Sequence, residues 1–485
     1  MPTTLRRTKI VATIGPASSS AEVLEQLILA GMDVARLNFS HGNAEEHRAR
    51  ALLIREIAAR LNRHVALLGD LQGPKIRIAR FTNKQIELQN GDTFRLSITH
   101  PRDAGNQAVV GIDYPDLVTD CSVGDDLLLD DGRIVMQVTA VTADALDCRV
   151  IIGGQLSDNK GINRRGGGLT APALTEKDKI DIRLAAELDL DYLAVSFPRD
   201  AADMNLARRL CAEANCQAWL VAKIERAEAV MNDDALNGLI SASDAVMVAR
   251  GDLAVEIGDA ELVGIQKKII AAARKQNKAV ITATQMMESM IHSPMPTRAE
   301  VSDVANAALD YTDAVMLSAE TAAGEYPVQA VAAMARVCLG AEKNPIMRRS
   351  AHRIGQQFER WDESIALAAM YTANHFPGVK AIIALTESGY TPLVMSRIRS
   401  SMPIYAFAPS RQTQARVALF RGVYTVPFDP TDSFSTSVSQ AAVEELVKRG
   451  IVAEGDWVIL TKGDSYHTVG GTNTMKLLHV GHIAA

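Results

Sequence analysis

The sequence predicts an α/β protein: a (β/α)8 TIM barrel carrying an inserted small β-barrel domain and followed by a C-terminal α/β domain. Three observations carry that prediction. Eight short apolar runs alternate with amphipathic helical patterns, which is the count of a closed parallel barrel. Between the third and fourth runs the pattern changes to short alternating strands with turn signals. After the eighth, the α/β alternation stops and then restarts. At 485 residues the chain has room for such a division. The expected units are 1–71 and 170–342 for the barrel, 72–169 for the insert, and 343–485 for the C-terminal α/β domain. A doubly wound open sheet shares the alternation and is the alternative on pattern alone.

The first strand is KIVATIGP, leading to Ser19 and Glu22 at capping-box spacing. The helix behind it carries Val23, Leu24, Leu27 and Ile28 on one stripe. VARLNFSH gives a second strand, a helix runs through Arg60, and HVALLGD is the third. From Gln72 to Leu169 come IRIARF, QIELQ, TFRLSI, LLLDDGRIVMQV and LDCRVII, with Asn90-Gly91 and Asp131-Gly132 as turn signals. The return segment NKGINRRGGGLT is glycine-rich and is expected to be mobile. Barrel alternation resumes with YLAVSF, AWLVAKIE, AVMVARGD, AVITATQ and AVMLSAE. The polar stretch AEKNPIMRRSAHRIGQQFERW reads as a linker, and AIIALTES, PIYAFAP, VYTVPF and DWVILTKGD are strands of the last domain.

Composition narrows the function classes. Hydrophobic residues make up 47% and charged residues 22%, an ordinary globular balance. A net charge of −6 gives no reason to expect nucleic acid or an anionic membrane as partner. No apolar stretch approaches the roughly 18 residues of a membrane span. Arg6, Arg7 and Lys9 precede only the short run IVATIGP, which does not make a signal peptide. Cys121, Cys148, Cys211, Cys216 and Cys338 form no CxxC pair, the pattern of a reducing compartment, so a cytoplasmic location is expected.

In a βα barrel, chemistry sits at the C-terminal strand ends. Lys223 and Glu225 are two apart on a strand and so share a face. The next strand ends Arg250-Gly251-Asp252, where the glycine allows close backbone approach to a ligand. Arg36, Asn38 and Ser40 alternate at the end of strand two, Asp70 ends strand three, Thr282 and Thr284 end strand seven, and Ser318 and Glu320 end strand eight. Cations, carboxylates and hydroxyls in this mix suit a substrate bearing phosphate and carboxylate, held through Mg²⁺. Glu225 and Asp252 suffice for Mg²⁺, which takes one or two carboxylates and fills its shell with substrate oxygens and water. The plainer reading of any one of them is a structural ion pair near a strand end.

RLNFSHG, GDLQGPKIR, LVAKIERAEAV, ARGD and TATQMMESMIHSPMPTRAEVSDVANA, in this order, resemble pyruvate kinase, and the similarity covers essentially the whole chain. The resemblance implies transfer of the phosphoryl group of phosphoenolpyruvate to ADP, giving pyruvate and ATP, with Mg²⁺ or Mn²⁺. It implies that Lys223 stabilises phosphoryl and enolate charge, that Glu225 and Asp252 hold the metal, and that Gly251 lies against the substrate carboxylate. Thr284 matches a threonine near the substrate methylene, and Arg36 a phosphate contact. Asn38, His41, Arg77 and Lys160 fall where the family binds nucleotide. Delivery of a proton to the enolate by Thr284 through water is a further expectation. The resemblance also implies a homotetramer and closure of the inserted domain over the barrel mouth.

The departures matter as much. Potassium-requiring members have threonine, lysine and glutamate where this chain has Leu71, Gln72 and Lys75. Asn38, Ser40 and Asp70 are in place for a monovalent ion, but Lys75 supplies a tethered ammonium, so activity without K⁺ is expected. Ala254 replaces a usual glycine, with little effect expected. In the last domain, Thr386, Ser388, Gly389 and Thr391 sit on a hydroxyl-rich loop before a helix starting near Pro392. The resemblance makes this the site for the phosphate of an activator, a phosphorylated sugar or AMP, with Tyr390 where some relatives have a basic residue. Met286, Met287, Met290 and Trp219 are expected to pack, and His64, His292 and His375 lack metal-ligand spacing. A metal-dependent barrel lyase or aldolase, and a sensor without catalysis, are the competing readings.

Overall fold

The apolar runs become strands because each is too short for a helix and is bounded by turn residues. In the computed structural model, which describes residues 5–348, 355–430, 437–464 and 470–482, they are β1 (Lys9–Thr13), β2 (Val34–Asn38), β3 (Ala66–Asp70), β4 (Tyr192–Val195), β5 (Trp219–Ile224), β6 (Ala245–Ala249), β7 (Ala279–Ala283) and β8 (Ala314–Leu317). Each pairs in parallel with its sequence neighbours, and β8 returns to β1, closing the barrel and removing the open-sheet alternative. Side chains alternate in and out along every strand. Val11, Val34, Leu68, Val221 and Met247 fill the interior, while Ile10, Ala12, Leu67 and Val246 pack outward against helices. The next inward positions are Thr13, Arg36, Asp70 and Lys223, so the apolar plug gives way to charge at the C-terminal rim.

The first helix starts one residue later than its capping-box spacing predicts. A 3-10 turn at Pro16–Ser18 consumes the chain ahead of the first helix, Ala21–Ala30. Ser20 is therefore its N-cap, accepting from Val23 N, while Ser19 Oγ donates to Gly15 O at 2.7 Å. The predicted Ser19–Glu22 box does not form. The expected stripe does, with Leu24, Leu27 and Ile28 buried.

Between β3 and β4 the chain forms a six-stranded sheet and a separate two-stranded one. The larger sheet begins with Ile162–Arg164 and ends with Val109–Gly111. Residues 76–79 bridge these two edges: Ile162 N donates to Ile76 O at 2.9 Å, and Ala79 N to Gly111 O at 2.7 Å. That closes the small barrel around Phe94, Leu127, Met136 and Leu146. The Asp131-Gly132 signal is a hairpin tip joining Asp126–Leu129 to Ile134–Val141, with Asp130 and Asp131 both at positive φ. Asn90-Gly91 also turns the chain, but between strands of different sheets. The glycine-rich return is pinned to the barrel, Gly166 N to Glu256 O at 2.9 Å and Gly168 N to Glu228 Oε1 at 2.5 Å.

The last unit is a five-stranded sheet of β9 (Val379–Leu385), β10 (Ile404–Ala408), β11 (Val423–Pro427), β12 (Trp457–Gly463) and β13 (Thr472–His479), ordered β11-β10-β9-β12-β13. The first four are the predicted runs. β13 is an antiparallel edge strand whose polar sequence TNTMKLLH hid it. Part of the predicted linker, 349–354, lies outside the described residues. The sheet docks on the barrel floor, where Arg397 pairs with Asp313 and Tyr192 Oη donates to Arg416 O at 2.6 Å. Trp219 packs at this junction beside Tyr192 and Phe420. Met286, Met287 and Met290 are fully buried, as packing residues should be. Among the described residues no helix is long and apolar enough to cross a membrane.

Candidate active site

The barrel's inward alternation delivers a chain of charges at its rim. Arg36 Nε lies 2.7 Å from Asp70 Oδ2, and Arg36 Nη1 donates to Thr13 Oγ1 at 2.9 Å. Lys223 Nζ sits 3.3 Å from Asp70 Oδ1 and 2.9 Å from Glu225 Oε1, and donates to Ser196 Oγ at 2.8 Å. Burial alone would raise Asp70, but Arg36 and Lys223 outweigh it and hold its carboxyl below the usual range. Burial opposes the charge on Lys223 too, and Asp70 and Glu225 overcome it, so the ammonium is held firmly protonated. Glu225 is different. Burial pushes it up to about 7, Lys223 pulls it down, and the nearby Asp252 carboxylate adds to the rise.

Asp252 stands on the helix Arg250–Ile257 that leaves β6. Lys75 reaches it from the root of the insert, Nζ to Oδ1 at 3.3 Å, and lies 3.9 Å from Asp131 at the hairpin tip. Gly251 N donates to Thr284 Oγ1 at 2.8 Å. A Cβ on Gly251 would meet Thr284 Oγ1 at 3.7 Å, an ordinary contact, so the protein itself leaves this backbone open. Thr284 and Gln285 follow β7 at φ 69° and 52°. Left-handed backbone in a β-branched residue costs on the order of 1–3 kcal/mol and persists only where surroundings enforce it.

A cavity of about 730 Å³ spans this region, lined by Lys75, Asp131, Gly251, Asp252, Thr284 and Ser318. A second, of about 410 Å³, is lined by Thr13, Arg36, Asn38, His41, Arg50 and Ser318. Ser318 belongs to both, so the two cavities meet at the end of β8.

The predicted residues divide accordingly. Arg36, Lys223, Glu225 and Asp70 form one hydrogen-bonded group, and Gly251, Asp252 and Thr284 stand beside it. β2 stops at Asn38 and the chain turns, so Ser40 is not the next strand position; its N donates to Asn38 Oδ1 at 3.1 Å. Asn38 Nδ2 lies 3.1 Å from His41 Nδ1, both facing the second cavity. Arg77 and Lys160 are on the insert and line neither cavity. Arg77 Nη1 donates to Asn159 O at 2.9 Å, and Lys160 Nζ pairs with Asp130 Oδ1 at 2.6 Å. The four expected nucleotide residues are thus in two separate pairs. Both Asp70 oxygens already face cations.

The sequence reading missed Ser196, Thr13 and the Lys75–Asp252 contact. Ser196 follows directly on β4, so the strand-end rule would have found it. Lys75 reaches Asp252 across a gap of sequence that no local pattern encodes.

Glu225 and Asp252 are two hard-oxygen donors at the rim; among the described residues no group of three or more His, Cys, Asp or Glu is placed to hold a metal. Two carboxylates, one of them lifted toward 7 by burial with the charge of the other adding to the rise, suit a divalent cation that takes its other ligands from substrate and water. In the last domain, Thr386, Ser388, Tyr390, Thr391, Lys462 and Thr472 line a cavity of about 50 Å³. The helix there begins at Tyr390, two residues before the expected Pro392, with Gly389 at φ 84° ahead of it. Gly389 N donates to Thr386 Oγ1 at 2.9 Å, and Tyr390 turns its hydroxyl to Glu363 at 3.0 Å.

Comparison with known proteins decides the family. Residues 5–331 match the family described as pyruvate kinase, barrel domain, and residues 363–478 the one described as pyruvate kinase, alpha/beta domain. The chain belongs to the pyruvate kinase family. It is 57% identical to pyruvate kinase II of Salmonella typhimurium over 98% of this chain and 99% of that protein. It is 54% identical to a pyruvate kinase of Haemophilus influenzae, again over 98% and 99%. A crystal structure of a pyruvate kinase from Cryptosporidium parvum, 35% identical, superposes with a TM-score of 0.89 over 98% of this chain and 96% of that one.

Proposed function

We infer that the barrel rim transfers the phosphoryl group of phosphoenolpyruvate to ADP, giving pyruvate and ATP. Family membership fixes the reaction class. The observation that carries the site assignment is the Arg36–Asp70–Lys223–Glu225 group beside Asp252 and Thr284. A phosphoryl transfer asks the protein for positioning and for cations against charge-bearing oxygens more than for covalent chemistry.

Lys223 is the fixed cation. Held charged by Asp70 and Glu225, it faces the oxygens that gain charge as the phosphoryl leaves and the enolate forms. Arg36, oriented by Asp70 and Thr13, takes the substrate phosphate, and the Gly251 backbone takes the carboxylate. The family generally uses Mg²⁺ or Mn²⁺; here Glu225 and Asp252 would hold it, and the ion would supply charge neutralisation for the transferred phosphoryl group. Thr284, fixed by Gly251 N, presents its hydroxyl toward the methylene carbon and passes a proton through water. Asn38 and His41 contact the nucleotide from the barrel. Arg77 and Lys160 reach it when the insert moves as a lid, which requires Lys160 to leave Asp130. Closure of this kind excludes water from the donor.

Lys75 replaces the requirement for K⁺ by placing its ammonium at Asp252. Asn38, Ser40 and Asp70 are then left without a role as monovalent-ion ligands. The loop Thr386–Thr391 binds a phosphorylated sugar or AMP, with Lys462 as the cation that Tyr390 does not provide. The domain division given above, a homotetramer and a cytoplasmic location complete the reading. Pyruvate formation from phosphoenolpyruvate and ADP with Mg²⁺, followed with a panel of sugar phosphates and AMP, tests it. Turnover without K⁺ and stimulation by a panel member are expected. Full dependence on K⁺, or indifference to every effector, removes the corresponding part.

A further inference from the structure

Thr284 needs something to hold it at positive φ, and one side chain is built to do so. Arg250, the first residue of the helix that carries Gly251 and Asp252, is 6% exposed and turns its guanidinium back beneath the end of β7. Its Nε donates to Ala283 O at 3.2 Å, Nη2 to Thr284 O at 2.6 Å, and Nη2 to Gln285 O at 3.2 Å. Three successive carbonyls therefore converge on one planar cation across the two left-handed residues. Asp303, from the helix Arg298–Leu309, balances that cation at 2.7 Å, and Gln266 Oε1 lies 3.5 Å from Nη1. The next residue, Gly251, donates its N–H to Thr284 Oγ1 at 2.8 Å. Backbone and side chain of Thr284 are thus both gripped from a single two-residue stretch.

We propose that Arg250, charge-balanced by Asp303, is a positioning residue for the reaction: it holds the 283–285 turn reversed so that the Thr284 hydroxyl, accepting from Gly251 N and donating to Ala283 O, is held at one fixed place at the barrel rim. It touches no substrate itself. Lysine cannot replace it, because a point ammonium does not span three carbonyls in one plane. The proposal rests on the role given to Thr284 above, and its test separates the two.

Amide hydrogen exchange reads the clamp directly. In Arg250→Lys, segments 249–253 and 283–287 are expected to exchange at least tenfold faster, with the outer barrel helices unchanged. Unchanged exchange in those two segments overturns the clamp. Steady-state kinetics read its purpose. Arg250→Lys and Thr284→Ala are each expected to lower kcat about a hundredfold with KM for phosphoenolpyruvate within about threefold, and the double variant to match the single ones, since residues acting as a unit are non-additive. Losses that multiply overturn the positioning role. If Arg250→Lys does not fold, Asp303→Asn, which keeps an acceptor and removes the balancing charge, is put through the same two measurements with the same criteria. A fully active Thr284→Ala removes the role of Thr284, and the exchange data then still decide the clamp.

Discussion

Lys75→Glu is the substitution that most sharply tests how this site manages its charge. Lys75 Nζ lies 3.3 Å from Asp252 Oδ1, with the side chains 27% and 22% exposed. At that separation two unit charges attract by about 5 kcal/mol at an effective dielectric of 20. Partial exposure and salt reduce this to roughly 1–2 kcal/mol. Reversing the sign loses that attraction and adds a repulsion of similar size, a swing of roughly 2–4 kcal/mol. At about 1.4 kcal/mol per tenfold, the swing is roughly thirtyfold to a thousandfold in rate if borne by the transition state. A small monovalent cation bound between the new glutamate and its neighbours offsets it. The assay is pyruvate formation with saturating Mg²⁺ in KCl or in tetramethylammonium chloride at matched ionic strength. The unaltered enzyme is expected to differ by less than about twofold between the salts. Lys75→Glu is expected to be nearly inactive in tetramethylammonium and to recover in KCl. A strict K⁺ requirement in the unaltered enzyme, or a variant indifferent to K⁺, refutes the reasoning.

Other perturbations follow from particular contacts. Asp191 is pushed up to about 6 by burial, with Leu67 N and Arg411 offsetting part of the rise. A carboxyl raised in the folded state gives stability that is complete below its unfolded value of 3.8 and lost as pH climbs through about 6. Asp191→Asn keeps an acceptor for Leu67 N and avoids that loss, so it should melt with the unaltered chain near pH 4 and above it at pH 8. The gain is at most about 3 kcal/mol; a lower melting temperature at pH 8 contradicts the sign. Thr391→Ala together with Ser388→Ala should raise at least tenfold the concentration of any activating sugar phosphate needed for half-stimulation, and an unchanged activation curve would move the effector elsewhere. Lys160→Met should raise KM for ADP about tenfold with little change for phosphoenolpyruvate, and equal effects on both would remove the lid contact.

The barrel was legible because its signal is local. Eight apolar runs with helices between them call for a parallel sheet buried on both faces, closed or doubly wound, and the pairing of β8 with β1 decides for closure; alternation along each strand places Arg36, Asp70 and Lys223 inward at the rim. The insert was legible as β structure from its turn residues, although its closure by residues 76–79 depends on two edges brought together from far apart in the chain. β13 was invisible because an edge strand with one face wet carries little apolar pattern. The Ser19–Glu22 box failed by one residue, since the extra turn at Pro16–Ser18 has no strong sequence mark. Within the site, what the sequence supplied was residue type at strand ends. What it could not supply was pairing: that Lys75 reaches Asp252, that Lys160 rests on Asp130, and that Arg250 folds back onto three carbonyls. Each joins segments whose meeting is decided by the fold.

We propose that Lys223 is the cation on which phosphoryl transfer turns. Its direct test compares pyruvate formation by the unaltered enzyme and by Lys223→Met, with phosphoenolpyruvate, ADP and Mg²⁺ saturating and far-ultraviolet circular dichroism confirming that both are folded. Removing a preorganised charge-stabilising group from a buried site costs on the order of a hundredfold to a thousandfold or more in turnover. A folded Lys223→Met at least about a thousandfold slower is the predicted result. A variant within tenfold of the unaltered enzyme would contradict the account and place the charge stabilisation on another group.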